Sequence, residues 1–505
     1  MTAHPEWSNY TDRDLITWLV ERAETWPSAT ALTWVPFDDP EQSWSYSQLV
    51  DAVIDCAGAL QERGIERGSI VGLVMDNGPH TVLHWLAVIA AGSSSLFINA
   101  RSSAEEIAWI ADHSGADLFL TDSAHFAMTS EATSEATSTA VIDVEGQPLA
   151  SSYGRWLRPD SDPRALASIQ YTSGTTSRPK GVRWTHANCL WAAEVNGRHQ
   201  RLTSDDVCLI TLPLFHTNAL AYQLLAAFDV GAHVVLQPRF SASRFWQVSV
   251  DHRCTWTGVV YFIVNALRDQ STPSHHFYRG WAGSGVVHAE DAPGRVPITG
   301  WFGMTETVSH PVYTDPVHVE STPPSTLGTV APEYEVRMDN VTDNIGELLV
   351  RGVRGISLFD GYLNDPAATD QVLGADGWFR TGDRVRVEGG HYFFVERLGD
   401  VLKVGGENVG AAEIERALVQ VPGVHEVAVV AKPDEMLGQV PVAFVIADDS
   451  PHLKEQLQHA AEISLADFKR PREYRFVPEF PRATLNKVAK ARLRESLHEL
   501  AREES

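Results

Sequence analysis

An α/β fold with a second, smaller α+β domain is what this sequence predicts, and three observations predict it. Through the first part of the chain, short apolar runs alternate with segments whose apolar residues recur at helical spacing, the pattern of strands joined by crossover helices. After residue 396 the pattern becomes that of a small unit of strands and helices with its own apolar faces. The length, 505 residues at 44% hydrophobic content, calls for two or more cores. The expected division is a large N-terminal domain of several α/β subdomains over residues 1–396 and a small C-terminal domain over 397–505.

The elements follow in order. Thr11 with Asp14 three residues on predicts a helix start, and Leu15, Trp18, Leu19 and Ala23 then recur at helical spacing. Strands are expected at Ala31–Val35, Ser69–Met75, Ser95–Ile98 and Leu118–Thr121, with helices at Tyr46–Gln61, Thr81–Ala91 and Ala104–His113 between them. The repeat from Ser130 to Thr137 is low in complexity and predicts a surface loop. Val207–Leu214 predicts a buried strand ending at Phe215-His216-Thr217-Asn218, and Gly346–Gly352 and Gly361-Tyr362 a strand and a turn. Beyond Arg397-Leu398-Gly399-Asp400, the expected boundary, come a strand Asp400–Val404 and a helix Ala411–Val421 with Ile414, Leu418 and Val421 on one face. Strands Glu426–Val430 and Val440–Ile446 and helices Leu453–Leu465 and Val488–Ala501 complete the chain.

Charge and cysteine content narrow the function. The 40 basic and 65 acidic residues leave a formal charge of −25, which repels nucleic acid and anionic membrane over most of the surface, so an anionic substrate must meet a local positive site. Cys56, Cys189, Cys208 and Cys254 form no C-x-x-C pair, which predicts reduced, buried thiols rather than a disulfide scaffold or zinc site. The start of the chain lacks the basic-then-apolar order of a signal peptide and no apolar run reaches spanning length, so a cytoplasmic enzyme is expected.

Chemistry concentrates first at Tyr171-Thr172-Ser173-Gly174-Thr175-Thr176-Ser177-Arg178-Pro179-Lys180-Gly181. Hydroxyls and backbone N–H groups of a turning, glycine-containing loop can all point at one anion, and Lys180 adds a mobile charge. It is not a Walker A loop, because Pro179 and Gly181 stand where that motif needs glycine and Ser/Thr. A second constellation is Gly300-Trp301-Phe302-Gly303-Met304-Thr305-Glu306-Thr307, in which Thr305 offers a hydroxyl to phosphate and Glu306 a carboxylate to Mg²⁺.

These motifs resemble those of the adenylate-forming superfamily of acyl- and aryl-CoA synthetases, adenylation domains and luciferases, and its landmarks occur in order over nearly the whole chain. The resemblance implies a phosphate loop at Thr172, Ser173, Gly174, Thr175, Thr176 and Lys180, and an adenine-contacting strip at Gly283, Ser284 and Gly285. It also implies an adenine-facing ring at Phe302, followed by Gly303 and Met304, with Thr305 and Glu306 catalytic and Glu306 the metal ligand. Asp383, in Trp378-Phe379-Arg380-Thr381-Gly382-Asp383, and Arg397 would hold the ribose. His216 alone reads as structural; by the resemblance it lies beside the acyl pocket, with Thr217, Asn218, Trp281, Trp301 and Gly303, although the two tryptophans and Phe302 fit plain core packing equally well. Lys487, in Phe480-Pro481-Arg482-Ala483-Thr484-Leu485-Asn486-Lys487, resembles the lysine that bridges the attacking carboxylate and the α-phosphate. Gly399 occupies the hinge position of a mobile C-terminal domain, and Gly405, Gly406 and Glu407 the acceptor side.

The departures are Ser177 where glycine is common, Asn486 for the usual glycine, Ala411 for proline, and a short stretch between Gly285 and Trp301 that bears on the pocket's shape. The activity implied is ATP- and Mg²⁺-dependent, AMP-forming activation of a small acid followed by transfer to a thiol, with coenzyme A the expected acceptor. The Thr-Ser-Arg-Pro-Lys-Gly loop resembles that of carnitine- and crotonobetaine-type ligases. Two other readings stay open: an adenylating enzyme of secondary metabolism with another acceptor, such as an amide-forming ligase or a diazotase in which nitrite replaces the carboxylate and an aryl amine attacks, and a non-catalytic nucleotide-binding regulator. Small molecules are the expected partners, with a homodimer left open.

Overall fold

The computed structural model describes residues 5–137, 139–149, 155–172, 179–342, 344–397, 401–447, 452–481, 488 and 490–503. The first helix, Leu15–Thr25, is capped by Asp14, whose carboxylate accepts from the Thr17 N–H, so Asp14 rather than Thr11 sets the start. Two large sheets carry the N-terminal portion. The first has nine strands in the order Thr329–Val330, Val312–Tyr313, Ile298–Phe302, Gly280–Gly283, Trp256–Gly258, Val207–Ile210, His233–Leu236, Thr30–Trp34 and Gln42–Ser45. The second runs Gly361–Tyr362, Lys180–Thr185, Leu166–Thr172, Ser94–Ile98, Ile70–Val74, Leu118–Thr121 and Ala140–Asp143. Its central strands are parallel, pairing Ile70 with Ser94, Val71 with Leu118 and Ser95 with Ser168. Parallel pairing requires crossovers, and helices Pro79–Ala90, Ala104–Ser114 and Phe126–Ala136 supply them.

One apolar core joins residues of both sheets, such as Leu32 and Val234 with Val71 and Leu73, to Trp18, Trp85 and Trp184. A second core lies around Phe245, Trp246 and Trp281. A four-stranded sheet, Glu335–Thr342, Ile345–Arg351, Trp378–Glu388 and His391–Arg397, follows.

Three expectations need correction. Ser130–Thr137 is not a loop: Phe126–Ala136 is helical, because Thr129, Ala132 and Thr133 fall at i, i+3 and i+4 and are all buried. The strand from Val207 ends at Ile210, and Leu212–Leu214 leaves the sheet as Asn77 Nδ2 donates to the Leu212 carbonyl while the Leu214 N–H donates to Asn77 Oδ1. Gly361-Tyr362, expected as a turn, pairs antiparallel with Arg183 and Val182.

The chain divides into two compact units, the smaller comprising Arg397–Ser505 with the short pieces Arg101–Ile107 and Thr172–Lys180. Within it, strands Glu407–Gly410, Val401–Val404, Gly438–Ala447 and Val424–Asp434 form one sheet, with Glu473–Phe476 parallel to the third. One face packs on Ile414, Leu418, Leu457 and Phe468, the other on Phe480, Leu493 and Leu497. All four cysteines are free and buried, and burial pushes the thiols of Cys56 and Cys189 up to about 12, which makes them inert. Among the described residues no helix is long and apolar enough to cross a membrane.

Candidate active site

The site is built at the end of the buried strand Ile298–Phe302. Gly303 follows, and only glycine fits: a Cβ there would lie 2.4 Å from the Tyr222 hydroxyl and 2.8 Å from the Ser309 carbonyl oxygen. The chain then makes one 3₁₀ turn, Thr305–Thr307, begun by the Met304 N–H donating to Thr307 Oγ1 at 3.0 Å. Val308 closes it at φ +49°, a left-handed conformation that a β-branched side chain adopts only under constraint. This turn presents Thr305 and Glu306 side by side.

Three other segments hold it. Thr217 Oγ1 donates to Thr305 Oγ1 at 3.0 Å, and the Trp184 indole N–H donates to the Thr305 carbonyl at 2.8 Å. Glu306 is 5% exposed; its Oε1 accepts from the Tyr362 hydroxyl at 2.8 Å and its carbonyl from the Phe359 N–H at 2.9 Å. Tyr362 is itself fixed by pairing with Val182 and by its N–H donating to Thr369 Oγ1. A buried carboxylate beside a hydroxyl, its orientation set by a neighbouring phenol, is the hard-oxygen donor set that suits a divalent cation carried with phosphates.

The remaining expectations distribute as follows. Gly283 pairs with Gly300, so the strip Gly283-Ser284-Gly285 continues from the strand beside the aromatic motif, and Ser284 is exposed. His216 is half-buried, its ring 4.5 Å from that of Phe215, and Asn218 Oδ1 accepts from Gln223 Nε2 at 3.1 Å. Trp281 is fully buried among Phe245, Trp246 and Tyr278 in the second core. Trp301 and Phe302 are buried in the main core. Asp383 is buried in Trp378–Glu388, its N–H donating to Thr381 Oγ1 at 3.1 Å. Thr172 closes the strand Leu166–Thr172 and Lys180 opens Lys180–Thr185.

Ser173, Gly174, Thr175, Thr176, Gly399 and Lys487 lie outside the described residues, as does the side chain of Arg397. In the smaller unit, Gly405 and Gly406 have φ of +59° and +94°, the two-residue hairpin turn that joins Val401–Val404 to Glu407–Gly410, with Glu407 buried.

Sequence reading missed Tyr362 and Trp184 as the groups that orient Glu306 and Thr305. Tyr362 was visible as part of a landmark, but nothing local marks a hydroxyl that reaches a carboxylate 56 residues away. Tyr222 and His310 were missed altogether.

Comparison with known proteins agrees with this geometry. The family model for AMP-binding enzymes matches residues 19–363, and that for the AMP-binding enzyme C-terminal domain matches 413–487. The chain belongs to the AMP-binding enzyme family, the adenylate-forming superfamily. It is 30% identical over 485 residues to a crotonobetaine/carnitine–CoA ligase of Escherichia fergusonii, covering 89% of this chain and 93% of that one. Among solved structures, a double mutant of o-succinylbenzoate CoA synthetase from Bacillus subtilis with a product analogue superposes at TM-score 0.83 with 25% identity, covering 94% of this chain and 97% of the other. The same enzyme in complex with ATP and magnesium ion matches at TM-score 0.68 with 25% identity, covering 94% and 98%.

Proposed function

We propose that this chain activates a small acid with ATP and Mg²⁺, releasing pyrophosphate, and passes the acyl group from the adenylate to the thiol of coenzyme A. The observation that carries the reading is the Thr305–Glu306 turn, clamped through Thr217 and Tyr362. Mg²⁺ held at Glu306 would neutralise charge on the departing phosphates. The chain's own contribution is positioning: Thr305 is locked by two hydrogen bonds, and the rigid turn keeps Glu306 in one place, so little reorganisation is needed when charge develops. Phosphate binding falls to Thr172–Thr176 and Lys180, adenine to Phe302 and the Gly283–Gly285 strip, ribose to Asp383 and Arg397, and the approach of two anions to Lys487.

The second half-reaction is assigned to a rotation about Gly399 that withdraws Lys487 and brings Gly405, Gly406 and Glu407 forward, with the boundary at residue 397 and the cytoplasm as the compartment. Relatives named as CoA ligases support the thiol acceptor over an amine. Lys487→Ala tests the division: adenylate formation from acid and ATP falls at least a hundredfold, while thioester formation from a supplied adenylate and coenzyme A stays within a few-fold of the wild type. Equal loss of both steps contradicts it.

A further inference from the structure

Behind Gly303 three large rings close on one another. Trp301 stacks on His310 with centroids 4.1 Å apart and planes at 11°. Tyr222 meets His310 at 4.2 Å and the Trp301 ring edge-on at 5.5 Å. Tyr222 comes from the π-helical segment Asn218–Leu225, which continues directly from Thr217, the residue that holds Thr305; its hydroxyl lies against the Gly303 backbone. All three side chains are buried, His310 completely.

Among the described residues, the Tyr222 hydroxyl and both ring nitrogens of His310 have no hydrogen-bond partner, although each is buried. A buried phenol or imidazole left unsatisfied bears its desolvation cost without the compensating hydrogen bond. Buried tyrosines ordinarily find a partner, and these two residues stand directly behind the turn that carries Thr305 and Glu306, where a ligand's polar atom can supply one. Burial keeps the phenol protonated, with Glu306 adding to that effect, and keeps the imidazole neutral. The cluster therefore offers neutral donors and an acceptor without adding charge beside the incoming anion. His199, at 5.9 Å from His310, is held by Glu333 through Nε2 at 3.0 Å, which fixes the ring layer behind.

We propose that Tyr222, Trp301 and His310 form the closed, hydrogen-bonding floor of the acid site, so that the substrate is a small hydrophilic acid of the size class of glycolate, acetate or nitrite. This deepens the adenylation reading above and rests on it. Three mutually packed, buried rings fill the space behind Gly303 where a longer chain would have to extend, and the two unpartnered groups reward an acid that brings its own polar atom.

ATP–pyrophosphate exchange tests this, since it reads adenylate formation independently of the acceptor. The probes are nitrite, acetate, glycolate, butyrate, benzoate and octanoate, with the wild type, Tyr222→Phe, Tyr222→Ala and His310→Phe. The wild type is expected to favour the first three by at least a hundredfold in kcat/KM. Tyr222→Ala is expected to raise the butyrate-to-acetate and benzoate-to-acetate ratios at least tenfold. Tyr222→Phe and His310→Phe keep the size limit and raise KM for the preferred small acid about tenfold, with the KM for ATP unchanged. A wild type that prefers benzoate or octanoate overturns the floor while leaving adenylation standing, and so does a Tyr222→Ala variant that exchanges with unaltered ratios. Absence of exchange with every acid in wild-type protein that binds ATP overturns the adenylation reading and the floor with it.

Discussion

The role proposed for Glu306 depends on Tyr362, which aims it. The phenol donates to one carboxylate oxygen at 2.8 Å, and backbone contacts through Phe359 fix the rest of the residue. Groups that orient a metal ligand matter nearly as much as the ligand, with losses of 10–100-fold when they are removed. Tyr362→Phe is therefore expected to raise the Mg²⁺ concentration for half-maximal activity about tenfold with a smaller change in kcat, and Glu306→Gln to cost at least about a hundredfold in kcat/KM. A titration of pyrophosphate release against Mg²⁺ separates the two; an unchanged Mg²⁺ dependence in Tyr362→Phe contradicts the aiming role. Thr305 and Glu306 were legible in the sequence because they stand together in a motif. Tyr362, Thr217 and Trp184 were not legible in these roles, because their hydrogen bonds depend on a sheet register that brings distant segments to one turn.

At the scale of elements, the helix Pro79–Ala90 carries a titrating group in the core. His84 is 2% exposed, donates through Nδ1 to the His80 carbonyl at 2.7 Å, and burial lowers its pKa from 6.5 to about 4. Between those values the unfolded chain holds a proton on this imidazole that the folded chain does not. Stability accordingly falls as pH drops below about 6.5, by roughly 1.4 kcal/mol per pH unit for this one group, and the decline from this source ends near pH 4. Urea midpoints at pH 7 and pH 5 are expected to differ less in His84→Asn than in the wild type; equal differences contradict the assignment. The same scale shows why the helix Phe126–Ala136 was read as a loop. Its repeat of Ser, Glu, Ala and Thr looks like solvated low-complexity sequence, yet Thr129 and Thr133 are fully buried, and tertiary packing overrides weak propensity. The strand at Val207 was extended too far for the opposite reason: Leu212 and Leu214 are apolar because they pack, not because they pair.

Over the whole molecule, the alternation of strands and helices was legible because the crossovers run at helical spacing and central strands such as Ile70–Val74 and Leu118–Thr121 are apolar and buried, as a sheet covered on both faces requires. The sheet order was not, since it places strands such as Thr30–Trp34 and His233–Leu236 side by side across two hundred residues. Family membership gives this architecture a two-step chemistry, and the central claim is that an adenylate forms first and waits for a thiol. The most direct measurement is a single-turnover experiment with ATP labelled at the α-phosphate, excess enzyme and a small acid, quenched with and without coenzyme A. The account predicts that without coenzyme A pyrophosphate is released while the label stays in an enzyme-bound acyl-adenylate, and that adding coenzyme A converts it to AMP and an equal amount of thioester. Free AMP appearing at the same rate whether or not coenzyme A is present, with no thioester formed, would contradict it.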